Sequence, residues 1–179
     1  MAAITIGLGA IDRNNSTSVL HTLLDLTTAA NRTGTLSSFE IWAVGSMTGV
    51  KMGTFYNTDT NKYTSRDYEN IGNVTHGSKQ TFTGKNCDVK AGDFLAVRAT
   101  NTGNIEMAWG SVGDAASCFD DAFGAGEKTF TNQGMLLSIY ATGTGWAIAK
   151  LSGVVAAAIL KTQKIAVAVI KKVMGVGVH

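Results

Sequence analysis

The sequence predicts a mainly β protein: an antiparallel, jelly-roll-like β-sandwich over residues 1–145, followed by a C-terminal apolar and lysine-bearing repeat tail over residues 146–179. Several short runs alternate their side chains with a period of two, which is typical of half-buried strands. Gly, Asn and Asp separate these runs. Because the 179 residues include 21 glycines and no proline, the turns depend on those residue types. Short strands at regular spacing with such turns indicate a sandwich.

The predicted strands follow one another closely through the body. They lie at residues 4–8, 39–44, 51–56, 94–99, 105–109 and 135–141. The turn at 101–104 predicts that the run after it pairs back on the run before it as a hairpin. Residues 19–30 are predicted as a strand, with a short helix as the alternative because Leu20, Leu23 and Leu24 have helical spacing.

Residues 113–126 interrupt the strand pattern. This segment contains Asp114, Asp120 and Asp121, and a helical turn over 115–123 is predicted within it. Loops between the strands of a rigid scaffold often hold ligand contacts. Three aspartates can bind Ca²⁺, but the spacing of an EF-hand loop is absent, so no metal site is predicted.

The tail carries an apolar pattern that nearly repeats every 11 residues. Ile148-Ala149-Lys150 recurs in similar form at 159–161 and 170–172, and the segment from residue 148 onwards has five lysines and no acidic residue. A short apolar repeat cannot bury its surface alone, so it needs copies of itself or a neighbouring body, and we predict self-association through the tail. The predicted contact residues are Trp146, Ile148, Leu151, Val154, Ile159, Ile165, Val169, Ile170, Val173 and Val176.

Two conformations of the tail fit this pattern. On a helix the five lysines occupy one wedge of roughly 100°, and a period of 11 corresponds to about 3.67 residues per turn, which favours right-handed supercoils. Gly153, Gly175 and Gly177 are poor helix residues, so a strand–turn repeat is the alternative. A basic amphipathic segment can also lie on an anionic membrane. Membrane contact is not expected, because such segments are more often packed against protein.

Charge is divided unevenly along the chain. The first 145 residues hold 10 basic and 13 acidic residues, a net charge of −3, whereas the tail carries +5. Nucleic-acid binding is not expected, because it needs a basic face with interleaved aromatic residues. The N-terminus does not resemble a secretory signal, and no transmembrane span is predicted. Cys87 and Cys118 lack metal-ligand spacing and are predicted to be free thiols.

The sequence shows no catalytic constellation. Nucleophile-elbow, phosphate-loop and dinucleotide-binding motifs are absent, and none of His21, His76 and His179 has a second ligand at metal spacing. We therefore predict no enzyme activity, no cofactor and no metal.

A sugar platform is the candidate binding site. An aromatic ring can stack on the apolar face of a sugar while polar groups bind its hydroxyls. Tyr63 and Tyr68 flank a polar stretch that includes Asp67, so these three residues are the predicted ligand contacts. Trp42 and Trp109 fall in predicted strands and are expected in the core.

The tail and body together resemble a known group of proteins. The opening of the tail, IAKLSGVVAAA at residues 148–158, is similar to the short IAKVNGVA repeats at the ends of phage and environmental-virus structural proteins. The body resembles their β-sandwich domains at four stretches, which are residues 30–36, 47–50, 77–82 and 89–94. Ser152-Gly153 replaces the usual Asn-Gly pair. The resemblance implies a place in a virion or an extracellular fibre.

These observations predict a non-enzymatic structural or assembly protein of a virion or extracellular fibre. Its partners would be further copies of itself and other components of the virion or fibre. The alternative is a carbohydrate-binding, receptor-binding module on the same sandwich, with a glycan as its ligand.

Overall fold

The computed structural model describes residues 2–146, which form a body built from strands. The mainly β, antiparallel class predicted from the sequence is confirmed over these residues, and the described part of the chain holds no helix able to cross a membrane. The predicted tail contacts from Ile148 to Val176 lie outside the described residues. The strands are β1 Ala2–Ile6, β2 Asn15–Ser18, β3 Thr22–Asp25, β4 Gly34–Ala43, β5 Met47–Asp59, β6 Lys62–Val74, β7 Ser78–Val89, β8 Phe94–Arg98, β9 Asn104–Trp109, β10 Ala115–Cys118, β11 Glu127–Thr129, β12 Thr131–Gln133, β13 Met135–Leu137 and β14 Ile139–Gly145.

The strands form two seven-stranded sheets. The first has the order β1-β14-β4-β9-β13, with β7 paired to β4 and β2 paired to β9, and the second has the order β11-β6-β5-β8-β3-β10-β12. One large cluster of buried side chains draws on both sheets. It includes Ile4, Phe39 and Ile41 from the first sheet and Met52 and Leu95 from the second. The main core therefore joins the two sheets.

A second, smaller core lies on the other face of the second sheet. Leu24 and Phe55 point away from the main core, because successive side chains of a strand alternate between its faces. They cluster with Phe123 and Phe130, which belong to the segment between β10 and β12. Phe55 meets both rings edge-on, with centroids 5.2 and 6.0 Å apart. The middle strands of this sheet are thus covered on both faces.

The predicted hairpin between residues 94–99 and 105–109 is wrong. β8 pairs with β3 and β5 in the second sheet, whereas β9 pairs with β2, β4 and β13 in the first. The turn between them crosses from one sheet to the other. The Asn101 side chain fixes the crossing, since it accepts from the Thr48 N–H and donates to the Ser46 carbonyl, both at 3.0 Å.

Two further predictions concern short segments. Within residues 19–30 the structure has the strand β3, and the helical alternative is not found. The helical turn predicted over 115–123 is wrong, because β10 begins at Ala115 and pairs with β3 and β12. The Thr22 hydroxyl donates to the Asp120 carbonyl at 2.8 Å and accepts from the Ala122 N–H at 3.1 Å. These two hydrogen bonds hold the chain after β10 against β3 in a bent, non-helical path.

Candidate functional site

A cleft of about 420 Å³ beside β12 is lined by residues of both sheets. Leu23 and Met135 form its apolar base and belong to the main core. Ser117 is in register with Leu23 on one side and with Thr131 on the other, so the three side chains share one face of the second sheet. Thr17 and Ser18 of β2 line the cleft from the first sheet. Hydroxyl groups from both sheets therefore converge on one space.

Two rings stand at this cleft. His21 lies between β2 and β3, and Phe119 follows β10 directly. Their centroids are 4.3 Å apart and their planes are tilted by 55°. The Phe119 side chain is 78% exposed although it is large and apolar. The hydrogen bonds of Thr22 to residues 120 and 122 keep the neighbouring backbone in place, so this exposed ring is held beside the cleft.

The polar lining consists of hydroxyl groups, one amide and the His21 imidazole. No Lys, Arg, Asp or Glu of the described chain lines the cleft. The Gln133 side-chain amide donates to the Ser117 hydroxyl oxygen at 3.0 Å. This bond orients the amide and leaves the Ser117 hydroxyl hydrogen and the Gln133 amide oxygen to meet a ligand. The cleft suits a neutral molecule that carries both donors and acceptors.

Comparison with known proteins gives no relative: no family model, curated protein or solved structure matches this chain.

The structure buries one of the two rings of the predicted sugar platform and leaves the other partly exposed. Tyr63 is only 7% exposed, and its ring packs edge-on against Phe94 and Phe130 with centroids 6.0 and 5.4 Å away. Burial raises the pKa of the Tyr63 hydroxyl. Tyr68 is half-buried and packs against Phe123, with the Lys51 ammonium 5.3 Å from its ring centroid. Tyr63 is therefore part of the smaller core, whereas Tyr68 keeps part of its surface accessible.

Asp67 lies in the same strand, where its carboxylate is used by the protein itself. It accepts hydrogen bonds from the backbone N–H of the next residue, Tyr68, at 2.9 Å and from the backbone N–H of Asp88 in β7 at 2.8 Å. Glu69 accepts from the Asn86 N–H at 2.8 Å, so both carboxylates of this strand point towards β7. The two acids tie β6 of the second sheet to β7 of the first.

The three aspartates of segment 113–126 do not gather into a metal site. Asp114 accepts from the Ser111 N–H at 2.6 Å, and Asp120 pairs with Lys128 at 2.9 Å. Asp121 binds Lys51 at 2.7 Å. Partial burial of Asp121 opposes its ionisation and is the largest single effect. The hydrogen bonds from Lys51 and from the Phe123 N–H, with the charges of Lys51 and Arg98, together outweigh it and lower the pKa of Asp121. Among the residues that the structure describes, no three metal-ligating side chains come together.

Trp146, the first predicted tail contact, ends the described chain. The residue is 62% exposed, and its backbone N–H donates to the Thr33 carbonyl at 3.2 Å. The preceding Gly145 is in register with Ala2 on one side and Gly34 on the other. The chain thus enters the tail directly from a strand that is paired on both sides.

Sequence reasoning missed most residues of the cleft. In the sequence, His21 was considered only as a metal ligand and set aside for want of a second ligand. Phe119 belonged to the segment expected to hold ligand contacts, without a role of its own. Trp109, expected in the core, is 72% exposed at the end of β9. The cleft residues come from five strands and two connections, so no local motif unites them. The sequence signal that pointed towards the cleft was Phe119, an aromatic residue in the polar, aspartate-rich segment 113–126.

Proposed function

We propose that this chain is a non-enzymatic structural protein of a virion or an extracellular fibre, and that it self-associates through residues 146–179. The observation that carries the proposal is the 11-residue apolar repeat with its five lysines. An apolar repeat of this length needs copies of itself or a neighbouring body to cover its surface, and we propose that copies of itself do so while the aligned ammonium groups stay in water.

The body supports this role as a folded unit with its own core. Two antiparallel sheets with a shared buried cluster are what a jelly-roll-like sandwich requires, and we propose that architecture for it. The strand that leads into the tail, β14, is hydrogen-bonded to β1 on one side and to β4 on the other. A force applied through the tail would therefore be resisted by the hydrogen bonds to both strands. The expected partners are identical chains and other components of the same virion or fibre.

Light scattering coupled to size-exclusion chromatography tests the proposal. The 18.7 kDa full chain should elute as a multimer, whereas residues 1–146 should elute as a monomer. Ile165→Asp should dissociate the multimer, because it places a charge on the predicted apolar contact. Lys164→Gln is the matched control at the next position and should leave the multimer intact. Monomeric behaviour of both the full chain and the truncated body would exclude self-association through the tail.

A further inference from the structure

We propose that the cleft between β2 and β12 is a binding site for a neutral saccharide of one or two rings. The site is separate from the predicted platform at Tyr63 and Tyr68, and its function does not depend on self-association of the tail. Its volume of about 420 Å³ lies towards the lower end of the range of roughly 300–1,000 Å³ that small-molecule pockets occupy.

The chemistry of the lining selects the class of ligand. Sugar hydroxyls both donate and accept, and the hydroxyls of Thr17, Ser117 and Thr131 can do the same. The Gln133 amide, held by its hydrogen bond to Ser117, adds a fixed acceptor. Leu23 and Met135 give an apolar base for the carbon skeleton. This combination suits a sugar ring, which carries hydroxyl groups around its edge and C–H groups on its faces.

Phe119 supplies the stacking surface. A phenyl ring that is 78% exposed leaves apolar area in water, and a pyranose ring laid on it would remove that area. The His21 ring, 4.3 Å from the Phe119 centroid, supports the phenyl group from the side of the cleft. The exposed ring and the hydroxyl groups thus lie at the same opening.

The lining also argues against other ligands and against catalysis. An anionic sugar or a phosphate needs Lys or Arg, and none of the described cleft residues is one. Glycoside hydrolysis needs two carboxyl groups flanking the scissile bond, and the described lining contains none. The expected event is therefore binding of an uncharged sugar without its conversion.

Saturation-transfer NMR on the full chain tests the proposal. The probes are glucose, galactose, mannose and N-acetylglucosamine, with N-acetylneuraminic acid as the charged comparison. At least one neutral sugar should receive saturation, and the charged sugar should receive none. Phe119→Ala and Gln133→Ala should each weaken binding of that sugar at least tenfold. Trp109→Ala removes a ring of similar exposure that does not line the cleft, and it should leave binding unchanged.

Three results would overturn the proposal. They are absence of binding by all four neutral sugars, binding that survives both cleft substitutions, and preferential binding of the charged sugar. Because Phe119 is on the surface, its replacement should keep the fold, which the dispersion of the amide spectrum verifies. The mass of the particles in the same sample reports self-association independently, so failure of one proposal can be told from failure of the other.

Discussion

Removal of the Asp93 carboxylate should strongly destabilise the body. Asp93 is 2% exposed, and its two oxygens bind the Arg66 guanidinium at 2.5 and 2.9 Å. One of these oxygens also accepts from the Lys90 N–H at 2.7 Å. Asp93→Ala leaves an N–H and a largely buried guanidinium without their partner. Loss of one member of a buried ion pair costs about 3–5 kcal/mol.

Thermal unfolding of residues 1–146, followed by circular dichroism, measures the effect. At roughly 2–4 °C per kcal/mol for a domain of this size, the midpoint should fall by roughly 6–20 °C. Arg66→Met combined with Asp93→Ala should cost less than the sum of the single changes, because no unpaired charge remains. Glu40→Ala is the control, since its pair with Lys79 is partly exposed and should contribute less than about 1 kcal/mol. A loss below about 1 kcal/mol for Asp93→Ala would refute the reasoning, because that is the value of a solvent-screened pair.

Two further predictions concern Cys87 and Gly143. Burial raises the pKa of the Cys87 thiol to about 12, from an ordinary value of 9.0, so a Cys118→Ser variant should resist Ellman's reagent at pH 8 until it is unfolded. Because the unfolded thiol ionises first, the free energy of unfolding should fall between pH 9 and 12 by up to about 1.4 kcal/mol per pH unit, and Cys87→Ala should abolish that contribution. A Cβ at Gly143 would collide with the Thr35 carbonyl and the Leu36 backbone, so Gly143→Ala should destabilise the body by about 1–3 kcal/mol in denaturant unfolding. Exposed Thr144→Ala should change it by less than about 0.5 kcal/mol, and equal effects would contradict the steric argument.

The alternation of side chains identified much of the core. Phe39, Ile41 and Ala43 of β4 are all buried, as their two-residue spacing predicts. The same pattern carries no information about which strand lies alongside, so it did not reveal that β8 and β9 belong to different sheets. The side chain of Asn101, acting on residues more than 50 positions away, decides that crossing.

Burial outside the main core was harder to predict. Tyr63 lies in a polar stretch, but the segment after β10 folds over the second sheet and encloses its ring with Phe94 and Phe130. Trp109 follows the inward alternation of β9, yet it is the last residue of that strand and extends beyond the buried part of the sheet. Both outcomes depend on contacts between distant segments, which spacing within one strand cannot encode.

Negative-stain electron microscopy of the full-length protein addresses the central claim most directly. If residues 146–179 bring chains together, the images should show regular multimers, either closed particles or fibres, and these should vanish in the Ile165→Asp variant. A field of single bodies at micromolar concentration, identical for the full chain and for residues 1–146, would contradict the account.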